Sequence, residues 1–273
     1  MKKPSENRPF YRDRNWLTGF VFSMVVVIGF YYLIVRPARE RNSPPPAQVG
    51  TAQTGQEGSL PGTDQPGAGW QAGIAFTAPG TLPSDVLRVG EEVWVFTDEG
   101  QKLVRLNLSG EVLAESALEV LCSKAAWDGE AVWCVNTSAS VSKIEPATGK
   151  ELGKFDTGIE SMQSIAWDGD SLWVMTQTGS MARYDRSGQQ LERKRVADYG
   201  FARDLAWMGE ELWVVYIPPQ LVRYDARFSV VERISSACGL TQGVLDYSID
   251  WDGESLWFLD FISARVLQCV QVD

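Results

Sequence analysis

One motif occurs five times between residues 90 and 257 and constrains the fold of this 273-residue chain more than any other feature. Each copy has a glycine, then an acidic residue, and a tryptophan four positions after the glycine. These motif tryptophans are Trp94, Trp133, Trp173, Trp213 and Trp257, spaced by 39, 40, 40 and 44 residues. The acids that follow the glycines are Glu91, Glu130, Asp170, Glu210 and Glu254. A period of about forty residues is typical of folds that repeat one supersecondary unit.

The motif predicts a β-hairpin, because glycine accepts the positive φ of a tight turn and apolar residues flank it at strand spacing. A third strand follows each hairpin, and turns such as Ser109-Gly110 lead to a fourth in EVLAES, KELGKF and QQLERK. Four short antiparallel strands in each repeat indicate the blades of a β-propeller. We interpret the tryptophans as packing between neighbouring blades rather than as a platform for carbohydrate, and the repeated acids as exposed turn residues.

The last repeat ends after its third strand, whereas Gly73–Thr77 lies before the first hairpin, where a fourth strand is expected. We predict that Gly73–Thr77 is the outermost strand of the C-terminal blade and closes the ring, which removes an exposed sheet edge. Residues 72–273 are sufficient for five blades of this length. The predicted fold class is all-β: a five-bladed β-propeller with four-stranded blades, closed by an N-terminal strand and preceded by one transmembrane α-helix.

Residues 16–35 are predicted to form that helix, because no charged residue lies between Trp16 and Val35. Twenty residues of helix span roughly 30 Å, the thickness of the hydrocarbon core. The following RPARERNSPPP offers no convincing cleavage site, which favours an uncleaved anchor over a signal peptide. Basic residues number five before the span and three after it, which favours a cytoplasmic N-terminus and an extracytoplasmic propeller on the cell membrane. Residues 1–15 are then a short basic tail, and residues 36–71 a Pro- and Gly-rich flexible tether.

The composition excludes several functions. Histidine is absent, which excludes Ser-His-Asp and Cys-His catalysis as well as histidine-ligated zinc. The formal net charge is −10, and an acidic surface repels phosphate backbones, so no nucleic-acid partner is expected. The expected partner is a protein, a peptide or a small polar ligand on one propeller face.

Propeller ligands usually bind at the mouth of the central channel, which the innermost strands line. In four repeats another tryptophan stands two residues before the glycine. One residue before that position the five repeats carry Leu87, Ala126, Ala166, Ala206 and Asp250. Asp250 therefore places a carboxylate among small apolar side chains, where burial raises a pKa, and it is our candidate catalytic residue. The structural alternative is that Asp250 caps a turn or binds a backbone amide.

Two residues earlier the same strands carry Asp85, Lys124, Ser164, Asp204 and Ser248. Arg203 and Tyr247 stand one residue before Asp204 and Ser248, respectively. We predict that Asp85, Lys124, Arg203, Asp204 and Tyr247 bind a small polar ligand. Asp85 and Asp204 also offer the carboxylate oxygens that Ca²⁺ prefers, so calcium is the one cofactor considered. The alternative is a solvated rim.

The hairpin sequences AAWDGEAVWCV, IAWDGDSLWVM, LAWMGEELWVV and IDWDGESLWFL resemble five-bladed propellers of the glutaminyl-cyclotransferase type and the wider group with DGxxLWV hairpins. The resemblance spans the propeller repeats and implies the fold. Residues 239–244, GLTQGV, are similar to the FTQGL motif of these cyclotransferases, which implies that Gln242 lies near a substrate γ-amide. However, this segment falls in the last blade rather than the first, its Phe is replaced, and the next hairpin reads LWFLD instead of LYESTG.

Three functions therefore stay open: a binding or scaffold module, an enzyme with cyclotransferase chemistry at a channel-mouth carboxylate, and a structural member of an envelope complex. We favour the binding module. Among the four cysteines, Cys122 and Cys134 flank the second hairpin almost symmetrically, which predicts a disulfide in an oxidising compartment. Cys269 occupies an apolar position of the third strand, and Cys238 lies in the loop before the last blade.

Overall fold

The computed structural model describes residues 70–136, 139–196, 200–217, 220–234 and 247–271. In these ranges twenty strands form five four-stranded antiparallel sheets, and β1 (Trp70–Thr77) precedes the first complete blade. Blade 1 contains β2 (Asp85–Val89), β3 (Glu92–Thr97), β4 (Lys102–Leu106) and β5 (Val112–Ala117). Blade 2 contains β6 (Lys124–Trp127), β7 (Val132–Val135), β8 (Ser140–Glu145) and β9 (Lys150–Asp156).

Blade 3 contains β10 (Met162–Trp167), β11 (Leu172–Thr176), β12 (Ser180–Tyr184) and β13 (Gln190–Arg195). Blade 4 contains β14 (Phe201–Met208), β15 (Glu211–Ile217), β16 (Gln220–Tyr224) and β17 (Val230–Ile234). Blade 5 contains β18 (Tyr247–Trp251), β19 (Ser255–Asp260) and β20 (Arg265–Gln271), and β1 is its fourth strand.

The five sheets form a closed ring. Their first strands β2, β6, β10, β14 and β18 contact one another in that cyclic order, and β18 returns to β2. These strands surround the central axis, so the predicted five-bladed propeller is confirmed. The predicted transmembrane helix at 16–35 lies outside the described residues, and none of the residues that are described forms a helix able to cross a membrane.

The predicted ring closure is confirmed and extends further than expected. β1 pairs antiparallel with β20, with Phe76 opposite Val266 and Thr77 opposite Arg265. The strand begins at Trp70, three residues before the predicted segment. Trp70 is buried and packs edge-on against Trp213, with ring centroids 5.6 Å apart, so this tryptophan secures the closing strand to blade 4.

Five apolar clusters, one between each pair of neighbouring blades, form the core. Each cluster contains one motif tryptophan, and these side chains are only 1–4% exposed. The prediction that they fill the space between blades is therefore confirmed. A cation lies over each ring, with Arg105, Lys143, Arg183, Arg223 and Arg88 at 5.3–5.9 Å from the centroids.

Each hairpin turn has its glycine at positive φ, between 58° and 103°, as the motif predicts, and the acids that follow are exposed. In blade 2, Asp128 accepts the backbone N–H groups of Glu130 and Ala131, both at 2.8 Å. Its second oxygen accepts the indole N–H of Trp133 at 2.9 Å. The aspartate therefore caps the turn and fixes the tryptophan, and blades 3 and 5 repeat the arrangement.

Blade 4 departs from this arrangement, because Met208 replaces the aspartate. The indole N–H of Trp213 is consequently buried without a hydrogen-bond partner among the residues described. This departure is visible in the sequence, where LAWMGEELWVV lacks the Asp that the copies of blades 2, 3 and 5 carry.

The predicted disulfide is confirmed: Cys122 and Cys134 are bonded, with Cα atoms 5.1 Å apart, and both are buried. Cys122 lies just before β6 and Cys134 lies in β7, so the bond crosses the first hairpin of blade 2. Cys269 is buried as predicted and is also disulfide-bonded. Cys238 lies outside the described residues.

Candidate functional site

The innermost strands carry two layers of side chains around the axis. The polar ring consists of Asp85, Lys124, Ser164, Asp204 and Ser248. The second layer, two residues further along each strand and nearer to the hairpin turns, consists of Leu87, Ala126, Ala166, Ala206 and Asp250. Residues two apart in a strand point to the same side and are separated by roughly 6–7 Å, so the layers stack along the channel.

Ionic and hydrogen bonds join the members of the polar ring. The Lys124 ammonium lies 2.8 Å from Asp204 Oδ2 and 3.4 Å from Asp85 Oδ1. Ser164 donates to Asp204, and Ser248 donates to Asp85. All five residues are buried, with at most 5% exposed. The alternative of a solvated rim is therefore wrong, because the converging strands exclude water from this layer.

Backbone amides complete the bonding of the two ring carboxylates. Asp85 accepts the N–H of Ala125 at 2.5 Å, and Asp204 accepts those of Leu205 at 2.9 Å and Ile249 at 3.0 Å. Burial raises the pKa of Asp85 to about 7, and the Asp204 carboxylate acts in the same direction against the Lys124 ammonium. Because these bonds cross from blade to blade, the ring ties the innermost strands together.

Of the five predicted ligand-binding residues, the structure brings together Asp85, Lys124 and Asp204. Tyr247 is instead buried in the apolar cluster between blades 4 and 5. Arg203 is half-buried at a β-bulge, where the register of β14 against β15 shifts. Ligand binding by these residues stays a prediction.

The calcium interpretation also stays a prediction. Asp85 and Asp204 are bridged by the Lys124 ammonium, which here supplies the positive charge between the two carboxylates. Within the described residues, no group of three or more acids or cysteines is arranged to hold a metal ion.

The second layer opens into a cavity of about 190 Å³, called the funnel, at the hairpin end of the channel. Beyond the small side chains of this layer, the wall is formed by the funnel tryptophans Trp127, Trp167, Trp207 and Trp251, and by Arg88 in the corresponding position of blade 1. These tryptophans are half-buried, unlike the motif tryptophans. Our interpretation of all the tryptophans as blade packing therefore missed this wall.

Asp250 lies in the funnel wall, as the break in its layer suggested. Its Oδ2 atom accepts the backbone N–H of Arg88 at 2.6 Å, so the backbone-amide alternative is also correct. No cationic side chain within the described ranges forms an ion pair with it. Burial raises the pKa of Asp250 to about 7, and the backbone hydrogen bonds only partly offset this effect.

The guanidinium of Arg88 is engaged elsewhere. Its Nε lies 3.7 Å from Asp252 Oδ2, its NH1 group donates to the carbonyl of Glu92 at 3.2 Å, and its centre lies 5.6 Å from the ring centroid of Trp257. Arg88 thus offers its backbone amide, rather than its charge, to Asp250. Trp207 also lines the funnel, and its indole N–H is buried with no partner in the part of the chain described.

The candidate Gln242 and the rest of the GLTQGV segment lie outside the described residues, so its proposed role near a γ-amide stays a prediction. Of the two candidate catalytic residues, only Asp250 has a described position.

No protein-family model matches the chain, and no curated protein sequence matches it either. Among solved structures, the glutaminyl cyclase of Myxococcus xanthus is similar, with a TM-score of 0.61 and 12% identity over 75% of this chain and 97% of that one. Virginiamycin B lyase of Staphylococcus aureus matches with a TM-score of 0.45 and 16% identity, over 70% of this chain and 66% of that one. At such identities the likeness concerns the fold alone, and the predicted resemblance in fold to glutaminyl cyclases is confirmed.

Proposed function

We propose that this protein is a membrane-anchored, extracytoplasmic binding module whose propeller receives a ligand group in the funnel. The observation that carries the proposal is a cavity of about 190 Å³ with tryptophans in its wall and a carboxylate that has no described counter-ion. Ligand sites are typically concave and mostly apolar, with few convergent polar groups. The funnel has this composition, and the hydrogen-bonded polar ring lies beneath it.

Two observations support the proposed location. Residues 16–35 contain no charge and are long enough to span a bilayer. The propeller carries the buried Cys122–Cys134 disulfide, and such bonds persist mainly in oxidising compartments. We therefore expect the anchor to hold the propeller outside the cytoplasm.

Extraction and protease protection test this location. In sealed, right-side-out membrane vesicles, the full chain should resist alkaline carbonate extraction, and external protease should cleave it within the tether, at residues 36–69 before β1. A matched chain lacking only residues 16–35 should be released by carbonate. Release of the full chain, or protection of its tether in intact vesicles, contradicts the proposal.

A fragment screen by ligand-observed NMR on the full chain tests binding in the funnel. Ala166→Leu places a larger side chain in the funnel wall, whereas Ala114→Leu makes the same change on the outermost strand of blade 1. Fragments that bind the wild type and the Ala114→Leu variant should lose binding in the Ala166→Leu variant. A screen without any fragment that responds to Ala166→Leu contradicts the proposal.

Cyclotransferase chemistry is the second candidate, because an acid with a pKa of about 7 suits proton transfer near neutral pH. Turnover of peptides with N-terminal glutamine distinguishes it from a binding role. The binding proposal predicts no turnover by the full chain. Turnover that Asp250→Asn abolishes, without a change in melting temperature, would replace the binding proposal with the enzymatic one.

A further inference from the structure

We propose, on the basis of the proposed binding function, that the funnel takes a compact organic cation: an alkylammonium headgroup held by Asp250 and the funnel tryptophans. The proposal depends on an uncompensated charge, an aromatic wall, the size of the cavity and the charge around its mouth.

The uncompensated charge is that of Asp250. The two carboxylates of the polar ring share the Lys124 ammonium, whereas Asp250 has no ion-pair partner among the described residues. A largely buried carboxylate is costly unless a cation or hydrogen bonds compensate it. Backbone amides supply part of this compensation, and a ligand cation in the adjoining cavity would supply the rest.

The aromatic wall suits the same charge. Ammonium and guanidinium groups are attracted to the faces of tryptophans within about 6 Å of the ring centroid. Arg186 already lies 4.9 Å from the ring centroid of Trp167. No described cation lies over the rings of Trp127, Trp207 or Trp251, although all three line the funnel. These three tryptophans line the same cavity as Asp250.

The size of the cavity selects a small group. Its volume of about 190 Å³ lies below the range of roughly 300–1,000 Å³ for drug-sized ligands. A headgroup bearing methyl groups would bury apolar surface against the alanines of the second layer as well as against the indoles. The funnel therefore suits a methylated ammonium better than a large planar ligand.

The charge around the mouth favours cations over anions. The five hairpin turns that follow the funnel-wall positions each carry an exposed acid. Among the residues described, Glu91, Glu210 and Glu254 form no ion pair, so their charges are not neutralised locally. These three acids attract a cation, whereas Arg88 in the funnel wall and Arg186 over Trp167 are already paired with acidic or aromatic groups.

Binding should depend on pH. The pKa of Asp250 is about 7, and a bound cation favours its ionised form, so affinity should rise as the pH increases through 7. The charged groups that act on it are the ring acids Asp85 and Asp204, which raise its pKa, and Arg88 from β2 contributes its backbone amide. Below pH 7, the affinity should fall by up to about tenfold per pH unit.

Isothermal titration calorimetry on the full chain provides the test, with choline and its neutral isostere 3,3-dimethyl-1-butanol as probes. Choline should bind at least about tenfold more tightly than the alcohol, because only choline gains the charge of Asp250. The Asp250→Asn variant should lose about tenfold or more in choline affinity, and its affinity should depend on pH between pH 6 and pH 8 much less than that of the wild type. The matched variant Asp156→Asn, an exposed acid on β9, should bind choline as the wild type does.

Equal binding of choline and the alcohol, no binding of choline, or unchanged choline affinity in the Asp250→Asn variant overturns the cation assignment. If neutral fragments bind the wild type and lose binding in the Ala166→Leu variant, the proposed binding function stands, and only the proposal that the ligand is a cation is rejected. A third arm uses a peptide that carries trimethyllysine. Tighter binding of this peptide than of choline assigns the headgroup to a protein partner, and weaker or equal binding assigns it to a free small amine.

Discussion

The polar ring and the funnel are adjacent layers of the same five strands, yet the buried carboxylates in the two layers have different partners. In the ring, Asp85 and Asp204 receive an ammonium, two serine hydroxyls and several backbone amides. In the funnel, Asp250 receives backbone amides only, and a cavity lies beside it. Buried acids with raised pKa values therefore need not be functional, and the missing counter-ion and the open space distinguish the candidate site.

The largest effect is expected from the ammonium of the ring. Lys124→Met should destabilise the protein by about 3–5 kcal/mol, because it leaves two buried carboxylates without their shared cation. Equilibrium urea unfolding measures the loss. Lys102→Met removes an exposed ion pair with Glu115 and should have little effect. Equal stability of the two variants would show that the ring does not tie the blades together.

A pair of changes on β10 compares the two layers directly. Ser164→Ala removes a hydroxyl that donates to the buried carboxylate of Asp204 and should cost about 1.5–3 kcal/mol of unfolding free energy. Ala166→Ser, two residues along the same strand, adds a hydroxyl to the lining of the funnel without removing a partner from a carboxylate, and should cost less, about 1 kcal/mol. A larger loss of unfolding free energy in Ala166→Ser than in Ser164→Ala would contradict the assignment of the polar ring as the stabilising layer.

The pH dependence of stability separates Asp250 from the ring. A raised pKa in the folded state means that the folded protein binds more protons than the unfolded chain between about pH 4 and pH 7. Stability should therefore fall as the pH rises through this window and then level off. Asp250→Asn should remove the part of this pH dependence that is due to Asp250, with a gain of up to about 4 kcal/mol in unfolding free energy at pH 8. Parallel curves for the variant and the wild type would contradict the raised pKa of Asp250.

The smallest effect on stability is expected at the hairpin of blade 4. It tests whether the propeller can be stabilised there without a change in ligand affinity. Met208→Asp should supply the missing acceptor for the indole N–H of Trp213, as Asp168 does for Trp173 at 2.7 Å in blade 3. We expect a gain of about 1 kcal/mol, or about 2–4 °C in melting temperature. Met208→Leu should give no gain. Choline affinity should be unchanged in both variants, and a change would mean that the hairpin is part of the site.

Much of the scaffold was predictable because its signals are local and repeated. The positive φ of Gly129, the closing strand at Gly73–Thr77 and the Cys122–Cys134 bond all follow from spacing between repeats that share one geometry. A basic residue also recurs opposite four of the five motif tryptophans, in the third strand of the blade. That recurrence would have predicted the cations over their rings.

The channel was less predictable, because its chemistry depends on distances between blades. Alignment of the repeats placed Asp85, Lys124 and Asp204 in one layer, but the short separations between them arise only when five strands converge on an axis. The same convergence left space beside the alanines and exposed the funnel tryptophans. Two such tryptophans, Trp127 and Trp207, differ from the motif tryptophans in burial rather than in residue type, so the repeat pattern alone did not separate them.

The contrast between a compensated ring and an uncompensated funnel is tested most directly by the pKa of Asp250, followed by NMR of its carboxyl carbon with and without saturating choline. We expect a pKa of about 7 in the free protein, against an ordinary value of 3.8, and a decrease of about one unit or more when choline binds. The Asp85 carboxyl, which already faces Lys124, should move much less. A pKa of Asp250 near its ordinary value, or one that choline leaves unchanged, would contradict the account.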